Sequence, residues 1–223
     1  VVTFDDLRVL TAGSGVSLTA TATGLVGATS NPFAVAVGAP TQLAFGSQPG
    51  TVRVGAAIGP PVAVRVTDSF GNLVTTAAVS VTVALGTNPG GGTLSGTTTQ
   101  AGAGGIATFP DLAIDRGGAG YTLVAAAAGL TDGASAPFTV ELPPARLAFR
   151  IQPSTTVAGV VVAPAVQVEA QDSLGAPVTL MTATVDLALG SGAPAGALLA
   201  GTVSAAAASG VAAFGNLRLR TAG

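Results

Sequence analysis

The 223-residue sequence predicts an all-β chain of tandem β-sandwiches, with about seven short strands in each unit of roughly 105 residues. Three observations lead there: a hydrophobic period of two, turn residues at short intervals, and one long phrase that recurs along the chain. No stretch carries a sustained helical period, and the alanine runs at 125–128 and 205–208 sit inside strand and loop patterns.

The recurrence sets the organisation, because a repeat defines the folding unit. LAFGSQPGTVRVGAAIGPPVAVRVTDSFGNLV, from Leu43, returns as LAFRIQPSTTVAGVVVAPAVQVEAQDSLGAPV from Leu147, 104 residues on. GGIATFPDLAI at Gly104 returns as SGVAAFGNLRL at Ser209, 105 residues on, so the loop between TNPGGGTLSG and SGAPAGALLAG absorbs one residue. VTFDDLRVLTAGSGVSLTATATGLVGATSNPF at Val2 matches ATFPDLAIDRGGAGYTLVAAAAGLTDGASAPF at Ala107. The expected domains are therefore 1–38, the C-terminal part of one repeat; 43–140, a complete repeat; and 147–223, the N-terminal part of a third. Chain continuation or a neighbouring chain would complete the third.

Within a repeat the strands follow from alternation. Val62, Val64 and Val66 alternate with Ala63, Arg65 and Thr67, and Val79, Val81, Val83 and Leu85 alternate with Ser80, Thr82 and Ala84. Each set describes a strand with one face in a core and one facing out. Turn chemistry separates the strands at DSFGN (68–72), NPGGG (88–92), AGAGG (101–105) and DRGGAG (115–120). By the same matching, TFDDLRVLTAG near the start is expected to form strand, turn and strand. Phe33, Phe45, Phe109, Phe138, Phe149 and Phe214 recur at strand positions, which assigns them to the core. The joints VGAPTQLAF (37–45) and VELPPARLAF (140–149) are short and contain Pro, so they should act as semi-rigid spacers.

Composition removes several function classes. Charged residues make up 8% of the chain, all eight basic residues are Arg, and His, Cys, Lys and Trp are absent. A net charge of -2 offers no basic footprint for nucleic acid or an anionic membrane. The longest apolar run, near Val157–Val168, is broken by Gly159 and Pro164 and is too short for a spanning helix. No signal peptide pattern opens the chain. A large, weakly charged β surface, with apolar outward positions such as Ala63 and Ala84, favours contact with other protein.

The combination of LAF-x-x-QP, the D-S-F-G-N turn, V-x-V-x-L-G-T-N-P-G-G-G-T-L-S-G, G-I-A-T-F-x-D-L-x-I-D and G-Y-T-L-x-A resembles the bacterial immunoglobulin-like repeats of large surface and secreted proteins, akin to the invasin and intimin type. The likeness covers essentially the whole chain. It implies Greek-key sandwiches and an extracellular or cell-surface location, with the repeats serving as a rod. Asp115, Gly117, Tyr121 and Leu123 look like the tyrosine corner of such sandwiches. The first copy departs from it, with Leu10 and Val16 in place of Asp115 and Tyr121.

Candidate chemistry is sparse. Without His and Cys, triad catalysis and imidazole or thiolate zinc sites are closed. Asp5 and Asp6 are the adjacent acids, but strand neighbours point to opposite faces, and the other copies have Pro110 with Asp111 and Gly215 with Asn216. NPGGGTLSG lacks the Lys of a phosphate loop and reads as a hairpin loop. Asp68 and Asp172 recur in a turn. They read as turn formers, with a weak junction calcium as the alternative, since no D-x-D-x-D run supplies the oxygens calcium needs. Without Lys there are no isopeptide staples, and Asn31, Asn72, Asn88 and Asn216 are not in sequons. No catalytic, cofactor or metal residue is assigned.

The expected role is thus non-catalytic: a repeat segment of an extracellular bacterial filament, stalk or sheath, with other copies of itself as partner. The alternative is an adhesin module whose sandwich-end loops hold a cell-surface receptor or glycan. Two assembly schemes are compatible with the partial copies. In one the polypeptide continues. In the other a neighbouring chain donates residues 15–38, burying Val16, Leu18, Leu25 and Phe33. Because Val1–Gly13 duplicate Val211–Gly223, the sequence favours the continuous chain.

Overall fold

A computed structural model describes residues 2–221 and contains 23 strands and, among the described residues, no helix. The first copy contributes β1 (Gly13–Val16), β2 (Thr19–Ala20), β3 (Ala28–Thr29) and β4 (Phe33–Val35). The middle copy contributes β5 (Gln42–Ser47), β6 (Val52–Arg53), β7 (Val62–Thr67), β8 (Ser80–Leu85), β9 (Leu94–Ser95), β10 (Thr99–Ala101), β11 (Ile106–Phe109), β12 (Ala113–Ile114), β13 (Gly118–Tyr121), β14 (Leu123–Ala126), β15 (Gly133–Ala134) and β16 (Phe138–Glu141). The third contributes β17 (Arg146–Ile151), β18 (Val166–Gln171), β19 (Thr184–Asp186), β20 (Ala197–Ala200), β21 (Ser204–Ala206), β22 (Val211–Phe214) and β23 (Arg218–Thr221).

The chain divides into two compact units. One holds residues up to 50 with Ala57–Asp115 and Gly120–Phe138; the other holds Thr51–Ala56, Arg116–Ala119 and the chain from Thr139 on.

In the first unit, β11–β7–β5 form one antiparallel sheet and β10–β8–β14–β15 another. The chain changes sheet between β7 and β8, between β10 and β11 and again between β11 and β14, as in a Greek key. Alternation along the strands now has a cause: Val62, Val64 and Val66 of β7 and Val81 and Val83 of β8 are all buried, as are Ala107 and Phe109 of β11 and Leu123 and Ala125 of β14. Each such Val or Leu is stabilised by about 1.5–3 kcal/mol relative to exposure. Tyr121 joins this core, its ring tilted against Phe138 at 6.1 Å between centroids.

The second unit repeats the arrangement. In it β17–β18–β22 form the three-stranded sheet, and β19 pairs β21. Its core comprises Val162, Val166, Val168, Ala170, Val178, Met181, Val185, Ala207, Ala212, Phe214 and Leu217. Both copies carry the same bulge in their first strand, between Phe45 and Ser47 and between Phe149 and Ile151. In the same unit β6 runs parallel to the end of β16, Val52 opposite Val140.

The repeated turn before β11 and β22 requires glycine. Gly105 and Gly210 sit at φ +76 and +75, and a Cβ on either would run into the carbonyl of Val74 or Val178.

Candidate assembly surfaces

In the first copy β1 pairs β4, with Val16 opposite Phe33, and β2 pairs β3, with Ala20 opposite Ala28. Those strands correspond to β13–β16 of the middle copy, 105 residues on. The local wiring is the same in both. Ser30 Oγ accepts from the Leu18 amide at 2.9 Å and donates to the Asn31 carbonyl; Ser135 Oγ accepts from the Leu123 amide at 2.9 Å and donates to the Ala136 carbonyl. The hairpin therefore holds its shape through its own hydrogen bonds. What differs is burial. Phe4 is 70% exposed where Phe109 is 0%, and Leu18 is 47% exposed where Leu123 is 0%.

Residues 2–12, expected to form strand, turn and strand, contain no strand. Their counterparts β11 and β12 pair with β7 and β9, and the first copy has no counterpart of either. The assignment of Phe33 and Phe149 to a core is likewise corrected: they are 38% and 47% exposed. Phe109, Phe138 and Phe214 are buried and Phe45 is half-buried.

An apolar groove of the third copy is lined by Phe149, Val166, Leu187, Leu199, Leu217 and Leu219 among others. In the middle copy β8 bonds β10 on one side and β14 on the other, Val83 opposite Ala125 and Leu85 opposite Leu123. Among the described residues its counterpart β19 bonds only β21. Leu147 is 54% exposed where Leu43 is 4%.

Successive copies are fastened by hydrogen bonds that sequence reasoning missed. At the first joint, Asn72 Nδ2 donates to the Leu10 carbonyl at 2.8 Å and Asn72 Oδ1 accepts from the Ala12 amide at 2.9 Å. The Gly38 amide donates to Asp68 Oδ2 at 3.0 Å. At the second joint, buried Glu141 accepts from the Thr179 amide and hydroxyl at 2.8 and 2.5 Å and from the Leu180 amide at 3.1 Å. Arg53 adds a bond to the Leu180 carbonyl at 2.8 Å. The signal available in the sequence was a single acid, Glu141, at a strand end where the first copy has Ala36.

The other candidate residues make turn and loop hydrogen bonds or lie exposed. Asp68 Oδ1 accepts from the Phe70 and Asn72 amides at 3.0 and 2.9 Å, and Asp172 Oδ1 accepts from Leu174 and Ala176, both at 2.9 Å. Carboxylate oxygens turned toward N–H donors organise a turn and compete with any cation. The Asn72 side-chain amide, assisted by the Gly38, Asn72 and Phe70 amides, overcomes desolvation and holds the Asp68 carboxyl at about 2 instead of 3.8. Thr97 lowers Asp111 in the same way, by its hydroxyl and its amide. Asp5 and Asp6 are exposed and lie outside any strand. In the glycine-rich loop Asn88 closes the turn on both groups of Gly92 at 2.8 Å. The Tyr121 hydroxyl and the Asp115 carboxylate both crowd Gly92, where a Cβ would meet them at 3.0 and 3.1 Å. Gly117 is small because Leu142 lies 2.7 Å from its Cβ position.

No family model matches the chain, and no curated protein matches it in sequence. Among solved structures, domains 4–9 of the surface-layer protein SbsC align over 90% of this chain at 18% identity and a TM-score of 0.36. Extracellular domains 3–5 of Drosophila OTK align over 81% at 16% identity and a TM-score of 0.25. The chain spans 34% of the length of the first and 59% of the second.

Proposed function

We propose that this chain is a non-catalytic structural segment of an extracellular filament, stalk or sheath of bacterial origin, built from immunoglobulin-like sandwiches and acting on copies of itself. The observation that carries this reading is the fastening of consecutive copies. Loose tethers between independent modules would leave joint backbone groups to water, whereas Asn72 and Glu141 each take up two such groups, and Glu141 the Thr179 hydroxyl besides. Regular spacing plus fixed joints suits a part that sets distance.

The low charge supports lateral or end-on contact with like molecules, since few ionic groups need desolvation. The adhesin alternative has less support. Exposed Phe4, Phe33 and Phe149 lie on faces whose middle-copy counterparts form a core, a placement that serves closure of a sandwich before ligand capture.

Immunogold labelling of unpermeabilised source cells tests the reading. The expected result is label along continuous external structures. Label confined to the cytoplasm, or scattered as isolated surface particles, overturns it.

A further inference from the structure

We propose that Arg53 and Glu141 couple the folding of the third copy to that of the middle copy, so that the two gain and lose structure together. The inference goes beyond the structural role and does not depend on where the protein is located.

The two side chains come from distant parts of the middle copy. In the chain β6 lies between β5 and β7, which share one sheet, and β16 follows β15, which belongs to the other. They meet because β6 runs parallel to β16, with Val52 opposite Val140 and Arg53 opposite Glu141. The Val54 amide closes this ladder on the Glu141 carbonyl at 2.9 Å, and Val52 and Val140 are buried. Arg53 and Glu141 are therefore neighbours only when the chain segments of both sheets are in place.

What they hold is one residue of the third copy. The Leu180 amide donates to Glu141 Oε2 at 3.1 Å, and the Leu180 carbonyl accepts from Arg53 Nη2 at 2.8 Å. Thr179 adds its amide and hydroxyl to Glu141 Oε1. Both backbone polar groups of Leu180 are thus taken by side chains of the preceding copy. Leu180 and Thr179 form the crest of a turn whose flanks, Val178 and Met181, belong to the core. The Val178 amide donates to the Ala170 carbonyl of β18 at 2.9 Å, and the Met181 carbonyl accepts from the Gly210 amide at 3.2 Å. Fixing the crest orders the connection that leads from β18 to β19.

Packing agrees with this reading. Thr51–Ala56 belong with the chain from Thr139 on and not with the residues that flank them. Such a grip is a nearest-neighbour term between repeats, and its bonds to the Glu141 carboxylate are of the stronger, charge-assisted kind. It is also reciprocal: a folded third copy stabilises the pairing of β6 with β16. The grip is particular to this joint, since Ala36 stands in place of Glu141 in the first copy and Val157 in place of Arg53 in the third.

Urea unfolding of the 223-residue chain, followed by amide NMR, tests the coupling. The Val66 amide, bonded to Gly105, reports the middle copy, and the Ala170 amide, bonded to Gly210, reports the third. Phe109→Ala should lower the midpoints of both, although Phe109 belongs to the middle copy alone. In a chain already carrying Arg53→Ala and Glu141→Gln, Phe109→Ala should lower the Val66 midpoint and leave that of Ala170 unmoved. Val54→Pro keeps every side chain of the grip, yet should speed hydrogen exchange of the Thr179 and Leu180 amides on the order of tenfold or more. If Phe109→Ala unfolds the middle copy without urea, those two amides should exchange as fast as in Glu141→Ala. Protection retained there overturns the proposal, as does an unchanged rate in Val54→Pro. So does an Ala170 midpoint that ignores Phe109→Ala or moves equally with and without the grip, or free exchange of Thr179 and Leu180 in the unmodified chain. None of these outcomes touches the external role, which the immunogold label decides by itself.

Discussion

The middle copy and the first copy hold nearly the same phrase in two environments. Phe109 and Leu112 are sealed in a core, while Phe4 and Leu7, at matching places, are 70% and 63% exposed. Backbone pairing and the serine-wired turn survive in the half copy, but burial does not. Hydrogen bonds of the hairpin are local and can be made within about 25 residues, whereas the hydrophobic term requires a facing sheet.

Substitution at these paired positions is the severest way to break that comparison. Phe109→Ala should cost the chain about 3–5 kcal/mol, the transfer term plus a cavity. Phe4→Ala should stay within about 0.5 kcal/mol in a dilute chain, because Phe4 is 70% exposed. Denaturant unfolding followed by amide NMR separates the two; equal costs would mean that the first copy has a core of its own. The joints give a smaller contrast. Glu141→Ala removes three accepted hydrogen bonds and leaves the Thr179 and Leu180 amides without them, which should lower the stability of the third copy by about 1–3 kcal/mol. Placing Glu at Ala36 should add less than Glu141 contributes, since Asn72 already holds that joint, although Thr75 and Thr76 offer the same hydroxyl and amides as Thr179 and Leu180. Hydrogen exchange at 178–182 against 74–78 reads the difference.

The mildest effect is on pH. Asp68 has a folded pKa of about 2, below its ordinary 3.8. Its carboxylate therefore stabilises the fold at pH above about 4, and that contribution fades as pH falls toward 2. Acid titration of the Gly38 and Asn72 amide shifts should follow this window, and Asp68→Asn should remove it. A midpoint near 4 would show that the Asn72 contact adds nothing.

Much of this architecture was legible in the residues. Period-two valines mark β7, β8 and β18, and turn residues mark their limits, because both follow from backbone geometry that local sequence controls. The core role assigned to Phe33 and Phe149 failed for a physical reason: a side chain is buried by its partner sheet, and alternation reports a face without reporting what covers it. Residues 2–12 failed in the same way, having strand residues but no strand to bond. Asn72 was readable as a turn residue and unreadable as a clasp, since its partners Leu10 and Ala12 lie some 60 residues away. Glu141 was overlooked because an isolated acid beside a proline pair resembles any solvated strand end.

The two joints are not interchangeable, and that bears on inheritance. Pro143 occupies the place of Gly38 and has no amide hydrogen to offer, while Ala176 occupies the place of Asn72. Suppose that misaligned recombination between such similar coding stretches deleted one period. The end of the first copy would then meet the start of the third, setting Ala36 against Thr179 and Leu180, and Ala176 against Leu10 and Ala12. Neither the Asn72 nor the Glu141 clasp could form, and of these joint bonds only the Gly38 amide would find its usual acceptor, in Asp172. Repetitive genes shed units readily, and joints keyed to different residues penalise that loss in the folded product even though the deleted chain stays in frame.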